Sequence, residues 1–292
     1  MNLKTAKKGT NSLLLRPVCL CWMLFTASCR DKPEPKEYDR GALTANLGES
    51  VIQPAYQNLQ AKVDDLSGAY ASFRQTPQIL ELESLRSSFS ETWVAWKACS
   101  ALEFGPAANI SLRSILNTFP SDTLQIHNNF STGIYDLNQA ANLDARGFQA
   151  IDFMLYGLGV NDVATLGRYQ NPIDSTKLFN YLEALVADVQ TQILGVVTAW
   201  NSGYLATFKA SLGTDVGSST RMLVNELNRD LEVIKTASIG IPLGKQTFDA
   251  PLPAKVEALY SGMSTDLALA ELQGIELLFE GQKSGDPEGY GL

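Results

Sequence analysis

The chain has 292 residues with 23 Lys+Arg, 31 Asp+Glu, one His and four Cys. Its net charge of −8 repels a phosphate backbone, which excludes nucleic acid as a partner.

Residues 1–28 read as an export signal. Lys4, Lys7, Lys8 and Arg16 give a basic start, and PVCLCWMLFTAS is a short apolar run ending in small residues. That run is too short for a comfortable membrane span. TASC, Thr26 to Cys29, resembles a lipobox, the motif at which a bacterial signal is cut before a cysteine that carries lipid; Thr26 stands where Leu is usual. Cys29 is therefore the expected lipidation site, with an ordinary soluble export signal as the alternative. Residues 29–43 are charged, proline-bearing and apolar-poor, and read as a solvated tether. Cutting at residue 28 leaves 19 Lys+Arg against 31 Asp+Glu, a net charge of −12. Cys19 and Cys21 leave with the signal and Cys29 is modified, so Cys99 has no partner for a disulfide or a cysteine zinc cluster.

The first helix is expected over about 47–73, with apolar residues at Leu47, Val51, Ala55, Leu59, Val63, Leu66, Tyr70 and Phe73. Pro54 should kink it or mark its first turn. After Thr76-Pro77 a second helix carries Leu80, Leu85, Phe89, Trp93, Trp96 and Ser100, and FGP at 104–106 stops it. Shorter helical pieces follow through SLRSILNTF and SDTLQIHNNF, the second capped by Ser121 or Asp122. Then comes DARGFQAIDFMLYG, residues 144–157. RYQNPIDSTK, containing Asn171-Pro172, is the best internal boundary. Beyond it Leu178, Leu182, Leu185, Val189, Ile193, Val196 and Trp200 form the clearest stripe, NSGYLATFKASL turns back, and Leu223, Leu227, Leu231 and Ile234 form another. A last helix at about 265–280 shows Leu267, Leu272, Ile275 and Phe279. No segment alternates with period two for long enough to support a sheet. The expectation is an all-α fold of two antiparallel helical-bundle halves packed side by side, over residues 44–168 and 169–292.

Catalytic constellations are scarce. His127 is the one histidine, and no GxSxG elbow accompanies it, so a Ser-His-Asp or Cys-His arrangement is not supported. GIPLGK at 240–245 lacks the spacing and the Ser or Thr of a phosphate loop and reads as a helix stop followed by a proline-fixed turn. Gln149 and Asp152 are harder to set aside. Three residues apart on a helix, they share a face amid Phe148, Ile151, Phe153, Met154, Leu155 and Tyr156. A buried carboxylate needs a partner, and Arg113, Lys245 and Arg221 are the candidates. Two readings stay open: a polar clasp joining the halves, or a ligand site.

The stretches SETWVAWKACSALEFGP, DARGFQAIDFMLYG, KTASIGIPLG and ALYSGMSTDLALAELQGIELLFEG occur in the order seen in imelysin-like proteins, also known as peptidase M75. The resemblance covers roughly residues 47–280. It implies a helical fold with two bundle-like halves, export, often as a lipoprotein, and a part in bacterial iron uptake. The family name comes from a reported insulin-cleaving activity. Its signature is GxHxxE; here Gly147 keeps the glycine, while Gln149 and Asp152 stand at the histidine and glutamate positions. Gln plus Asp offers only oxygen donors, a weak two-ligand site suited to hard cations, so the peptidase chemistry is not carried over. Other motif positions expected in the same groove are Glu103, Lys245, Ser261 and Asp266, although Asp266 also suits the N-terminal end of the last helix, with Ser264 or Thr265 as its cap. Trp93, Trp96 and Trp200 lie on apolar stripes and read as core.

The combined expectation is a lipid-anchored, non-catalytic component of iron acquisition at the envelope of a Gram-negative-type bacterium, with no catalytic residues. It binds a small ligand, an iron complex, or iron or another divalent cation between its halves, alongside other envelope iron-uptake proteins. The alternatives are a metallopeptidase and a structural or adhesive surface lipoprotein without a small ligand.

Overall fold

The apolar stripes become helices, and among the described residues there is no strand. The computed structural model describes residues 38–282 and 290–292. The expected signal, the expected lipidation site Cys29 and the expected tether as far as residue 37 lie outside the described residues.

Helix α1 (Arg40–Asn46) begins inside the stretch read as tether, because Leu43 and Thr44 are buried. It runs through a π-helical stretch, Leu47–Ile52, into α2 (Gln53–Gln75). Pro54 sits in the first turn of α2 without an N–H to give to the preceding turn, and the widened π stretch stands directly before it. α2 buries Tyr56, Leu59, Val63, Leu66, Tyr70 and Phe73 and pairs with α3 (Ile79–Lys97), which buries Leu82, Leu85, Phe89, Trp93 and Trp96.

Two short helices follow, α4 (Pro106–Ile110) and α5 (Leu112–Asn117), joined at Ser111, where a φ of 57° turns the chain. α6 (Thr123–Thr132) is capped by Asp122, whose carboxylate accepts the N–H groups of Leu124 and Gln125. α7 (Gly147–Asp152) passes into a π-helical stretch, Phe153–Gly157, and α8 (Asp162–Gln170) ends at the expected Asn171-Pro172 break.

α9 (Ser175–Ala199) buries the long stripe, from Leu178 and Leu182 to Ile193 and Val196. Helical geometry is interrupted inside the stretch 201–212 expected to turn back. The chain bends in a π-helical stretch, Trp200–Tyr204, where Gly203 leaves helical geometry, and continues as α10 (Leu205–Ala210). α11 (Ser219–Val233) runs into a further π-helical stretch, Ile234–Gly240, and α12 (Ser264–Glu280) is the last helix. On these two helices Leu231, Leu272 and Phe279, expected inside, are exposed.

α9 lies on α2, α7 beneath α9, and α12 along α3. Arg146 fixes α7 to α9: its Nε and Nη2 donate to the two oxygens of Asp188 at 2.9 and 2.5 Å. Phe148 stacks on Trp93, with ring centroids 5.5 Å apart and planes 8° from parallel. The expected division near residue 168 lies in the last turn of α8, and from Arg40 onward the chain forms one compact unit.

Candidate functional site

The site is organised around α7. Gly147 has φ +68°, and a Cβ there would lie 2.3 Å from the Leu116 carbonyl oxygen. Only glycine lets α7 approach the end of α5 so closely. That approach brings Gln149 to Asn117, whose Oδ1 accepts from Gln149 Nε2 at 2.9 Å.

One turn on, Asp152 is fully buried. Its Oδ2 accepts the N–H of Tyr260 and its Oδ1 that of Ser261, both at 3.0 Å. The expected cationic partner is therefore replaced by backbone: neither Arg113, Lys245 nor Arg221 reaches Asp152. Burial holds its carboxyl above the ordinary carboxylate range, with the donors at Ser261 and Tyr260 pulling the other way. Asp152 clasps α7 to the segment before α12.

From Asn117 a chain of polar contacts runs inward. Asn117 Nδ2 donates to Glu257 Oε1 at 2.6 Å, and Lys97 Nζ lies 3.3 Å from that oxygen. Lys97 also meets Glu271 Oε2 as an ion pair without an aligned hydrogen bond. Lys97, Glu257 and Glu271 are respectively 3%, 1% and 2% exposed, so all three charged side chains are in the interior. Burial works to lower the Lys97 pKa, but Glu257 and Glu271 more than offset it and hold the ammonium above its ordinary value. Burial pushes Glu271 up to about 8, against the pull of Lys97, with Asp230 and Glu257 adding to the rise. Gly274 makes this meeting possible: a Cβ there would be 2.3 Å from the Ala98 carbonyl oxygen, so α12 rides directly on the end of α3.

Above this network opens a cleft of about 590 Å³. Lys97, Ser100, Arg113, Asn117, Ser238 and Glu271 supply its polar lining, and Trp96, Phe119, Val233, Ile241 and Leu252 its apolar walls. Arg113 Nη2 is engaged, donating to the Ser100 carbonyl at 2.8 Å and facing Glu226 at 3.1 Å and Asp230 at 3.4 Å. Asp230 also receives the Ser100 hydroxyl. Arg113 Nε and Nη1, and Ser238 Oγ, are buried with no hydrogen-bond partner. Each such orphan costs about 1–3 kcal/mol, more for a charged group. Arg113 and Ser238 thus bring unsatisfied polar atoms to this cleft. A smaller hollow of about 290 Å³, lined by Gln149 and Tyr260, shares Pro120 and Lys255 with it.

The residues singled out from sequence separate accordingly. Gln149 lines the smaller hollow, whereas Asp152 lines neither space. Glu103 is half-buried beneath the cleft, where its Oε2 accepts the Arg113 N–H at 3.1 Å, and burial raises its pKa. Lys245 is exposed on the loop after the π-helical stretch, and its neighbour Gln246 is the cleft residue. Ser261 serves Asp152 through its backbone, and its own Oγ is a buried atom without a partner. Asp266 is exposed in the first turn of α12, where a negative charge favours the helix dipole. Ser264 does not cap that helix; its hydroxyl donates to the Glu257 carbonyl at 2.6 Å. Trp93, Trp96 and Trp200 are core, and Trp96 also walls the cleft.

Lys97, Asn117, Ser238, Glu257 and Glu271 were not singled out from sequence. For two of them a signal existed. Glu271 stands in register with the buried Leu267 and Ile275, and Lys97 lies four residues after Trp93. A charge on an apolar stripe demands a buried partner.

A helical protein with a buried charge network under a polar-floored cleft is the class that fold and site define. Residues 52–292 match the family model Peptidase M75: Imelysin, and the chain belongs to that family. The fold is shared with two crystal structures of low sequence identity. One is a protein of Parabacteroides distasonis ATCC 8503 carrying the provisional name iron-regulated protein A precursor, at 19% identity and a TM-score of 0.72, covering 89% of this chain and 78% of that one. The other is an imelysin-like protein of Psychrobacter arcticum 273-4, at 18% identity and a TM-score of 0.62, covering 82% and 74%. No curated protein matches the chain.

A metal at the GxHxxE position does not fit the residues present. Both Asp152 oxygens hold backbone N–H groups, and Gln149 is engaged by Asn117 and, at 3.4 Å, by the Ala258 N–H. His127 is exposed on α6, turned to the Thr123 carbonyl and the rings of Phe130 and Phe153. Among the described residues no group of three or more His, Cys, Asp or Glu is placed to hold a metal ion. No hydrolytic step follows from this donor set.

Proposed function

We propose that the protein is a non-catalytic binding component of bacterial iron acquisition, anchored to the cell envelope through Cys29, which holds a small ligand in the cleft between α3, α5, the stretch Ile234–Gly240 and α12. Imelysin family membership and a fold neighbour named as iron-regulated support the iron-related role. The observation that carries ligand binding is the cleft itself, because its lining includes unpartnered donors on Arg113 and Ser238 that a bound molecule would complete. A purely adhesive role leaves those inward-facing groups without a purpose.

Ala237 lines the cleft and is small. Ala237→Trp fills the space from within one wall. Native mass spectrometry of protein taken from iron-starved cells should show a retained small molecule in the parent and none in a folded Ala237→Trp variant. Equal retention removes the cleft from the function. Cys29→Ala tests the anchor: the protein should leave the membrane fraction, and its persistence there removes the lipid attachment.

A further inference from the structure

With the cleft as the binding site, we infer that its ligand is a small carboxylate with an apolar body. Arg113 and Ser238 receive the carboxylate, and Trp96, Val233 and Ile241 hold the body. This inference rests on the proposed binding role and specifies the ligand's chemistry.

The sign of the ligand follows from which groups are already spent. Among the acids near the cleft, Asp230 takes the Ser100 hydroxyl and faces Arg113 Nη2. Glu226 faces that same nitrogen at 3.1 Å and Arg229 at 3.7 Å. Glu257 is shared by Lys97 and Asn117, and Glu271 lies on Lys97. A cationic ligand would meet acceptors that are engaged. Glu271 Oε2 is held by the Lys97 ammonium. That leaves Arg113 Nε and Nη1, which can only donate, and the Ser238 hydroxyl, which can donate to a carboxylate, with neither a hydrogen bond nor an ion pair. Ser238 is only 9% exposed, so bulk water does not satisfy it freely. Lys255, exposed on the rim, adds a positive charge at the mouth. The apolar walls require the rest of the molecule to be apolar.

Benzoate, benzamide and benzamidine share one ring and differ in head-group charge. Titrated calorimetrically into the purified protein, they separate the possibilities. Benzoate should bind tighter than benzamide by about tenfold or more, and benzamidine weakest, as expected for a charge-assisted pair with Arg113. Ser238→Ala should weaken benzoate by about threefold to tenfold, the loss expected for one hydrogen bond, with the circular dichroism spectrum unchanged. Arg113→Lys, which keeps the charge, should weaken it further. Benzamidine binding tightest, or three equal affinities, overturns the carboxylate assignment and leaves the cleft as a binding site. Benzoate affinity unchanged in both variants, or no binding by any of the three, also overturns it. The binding role itself falls only with the Ala237→Trp result.

Discussion

Lys97 and Glu271 form an ion pair in the protein interior, each almost fully buried, although one ends the second long helix and the other lies on the last. Glu257 completes the arrangement from the segment before α12. Such a cluster stabilises only as a set, because its desolvation cost is recovered through mutual attraction.

Removing the cation alone should therefore be severe. Lys97→Met leaves Glu257 and Glu271 facing each other in the interior and should cost about 3–5 kcal/mol in urea unfolding. Adding Glu257→Gln and Glu271→Gln to that variant should recover part of the loss. A Lys97→Met protein as stable as the parent would mean the three groups do not share one interior.

The network also makes stability depend on pH with a definite sign. Glu271 has an ordinary pKa of 4.5 and is raised to about 8 in the folded protein. Between those values the folded state holds a proton that the unfolded chain has released, so stability falls as pH rises through the window and levels off above about 8. Lys97, raised from 10.5, contributes stability that is present below that value and is lost above it, outside the window. Glu271→Gln should flatten the profile in urea melts at pH 5, 7 and 9. Parallel profiles for parent and variant would place the titration elsewhere.

Gly147 should be intolerant of even one added carbon. Its positive φ and the nearby Leu116 carbonyl together predict a loss of about 2 kcal/mol or more for Gly147→Ala. Gly68, in the middle of α2 with open space around it, is the control. Gly68→Ala should stabilise by roughly 0.5–1 kcal/mol through helix propensity. Thermal melts of the two variants should move in opposite directions.

Restoring the family histidine should not restore a metal site. Gln149→His supplies a nitrogen, but Asp152 beside it remains held by the Tyr260 and Ser261 N–H groups. Elemental analysis after incubation with iron, zinc or nickel should show no increase over the parent. A stoichiometric gain would show that Asp152 can release its backbone donors and turn to a metal.

The helices were legible because their apolar stripes decide what is buried; α2, α3 and α9 bury most of the residues expected of them, although Leu80, in the first turn of α3, faces outward at 70% exposed. Pro54 and Asp122 were legible for local reasons, one lacking an N–H and the other offering an acceptor to a helix start. What was not legible depends on distant approach. Asp152 was rightly read as buried and in need of partners, but backbone donors leave no mark in side-chain spacing. Gly147 was recognised as a motif position, whereas its use, the contact with the Leu116 carbonyl, appears only when α5 and α7 are set together. The cleft draws Lys97, Ser238 and Glu271 from three separated motifs, so no window of sequence contains it.

The placement of Glu271 on the last helix has a consequence for biosynthesis. A ribosome making this chain releases Lys97 long before Glu271 exists, and until then the ammonium has no counterpart from α12 and Ala98 has no neighbour at Gly274. Nascent or C-terminally truncated molecules thus lack Glu271 and its part of the cleft lining, which is completed only when the final helix docks.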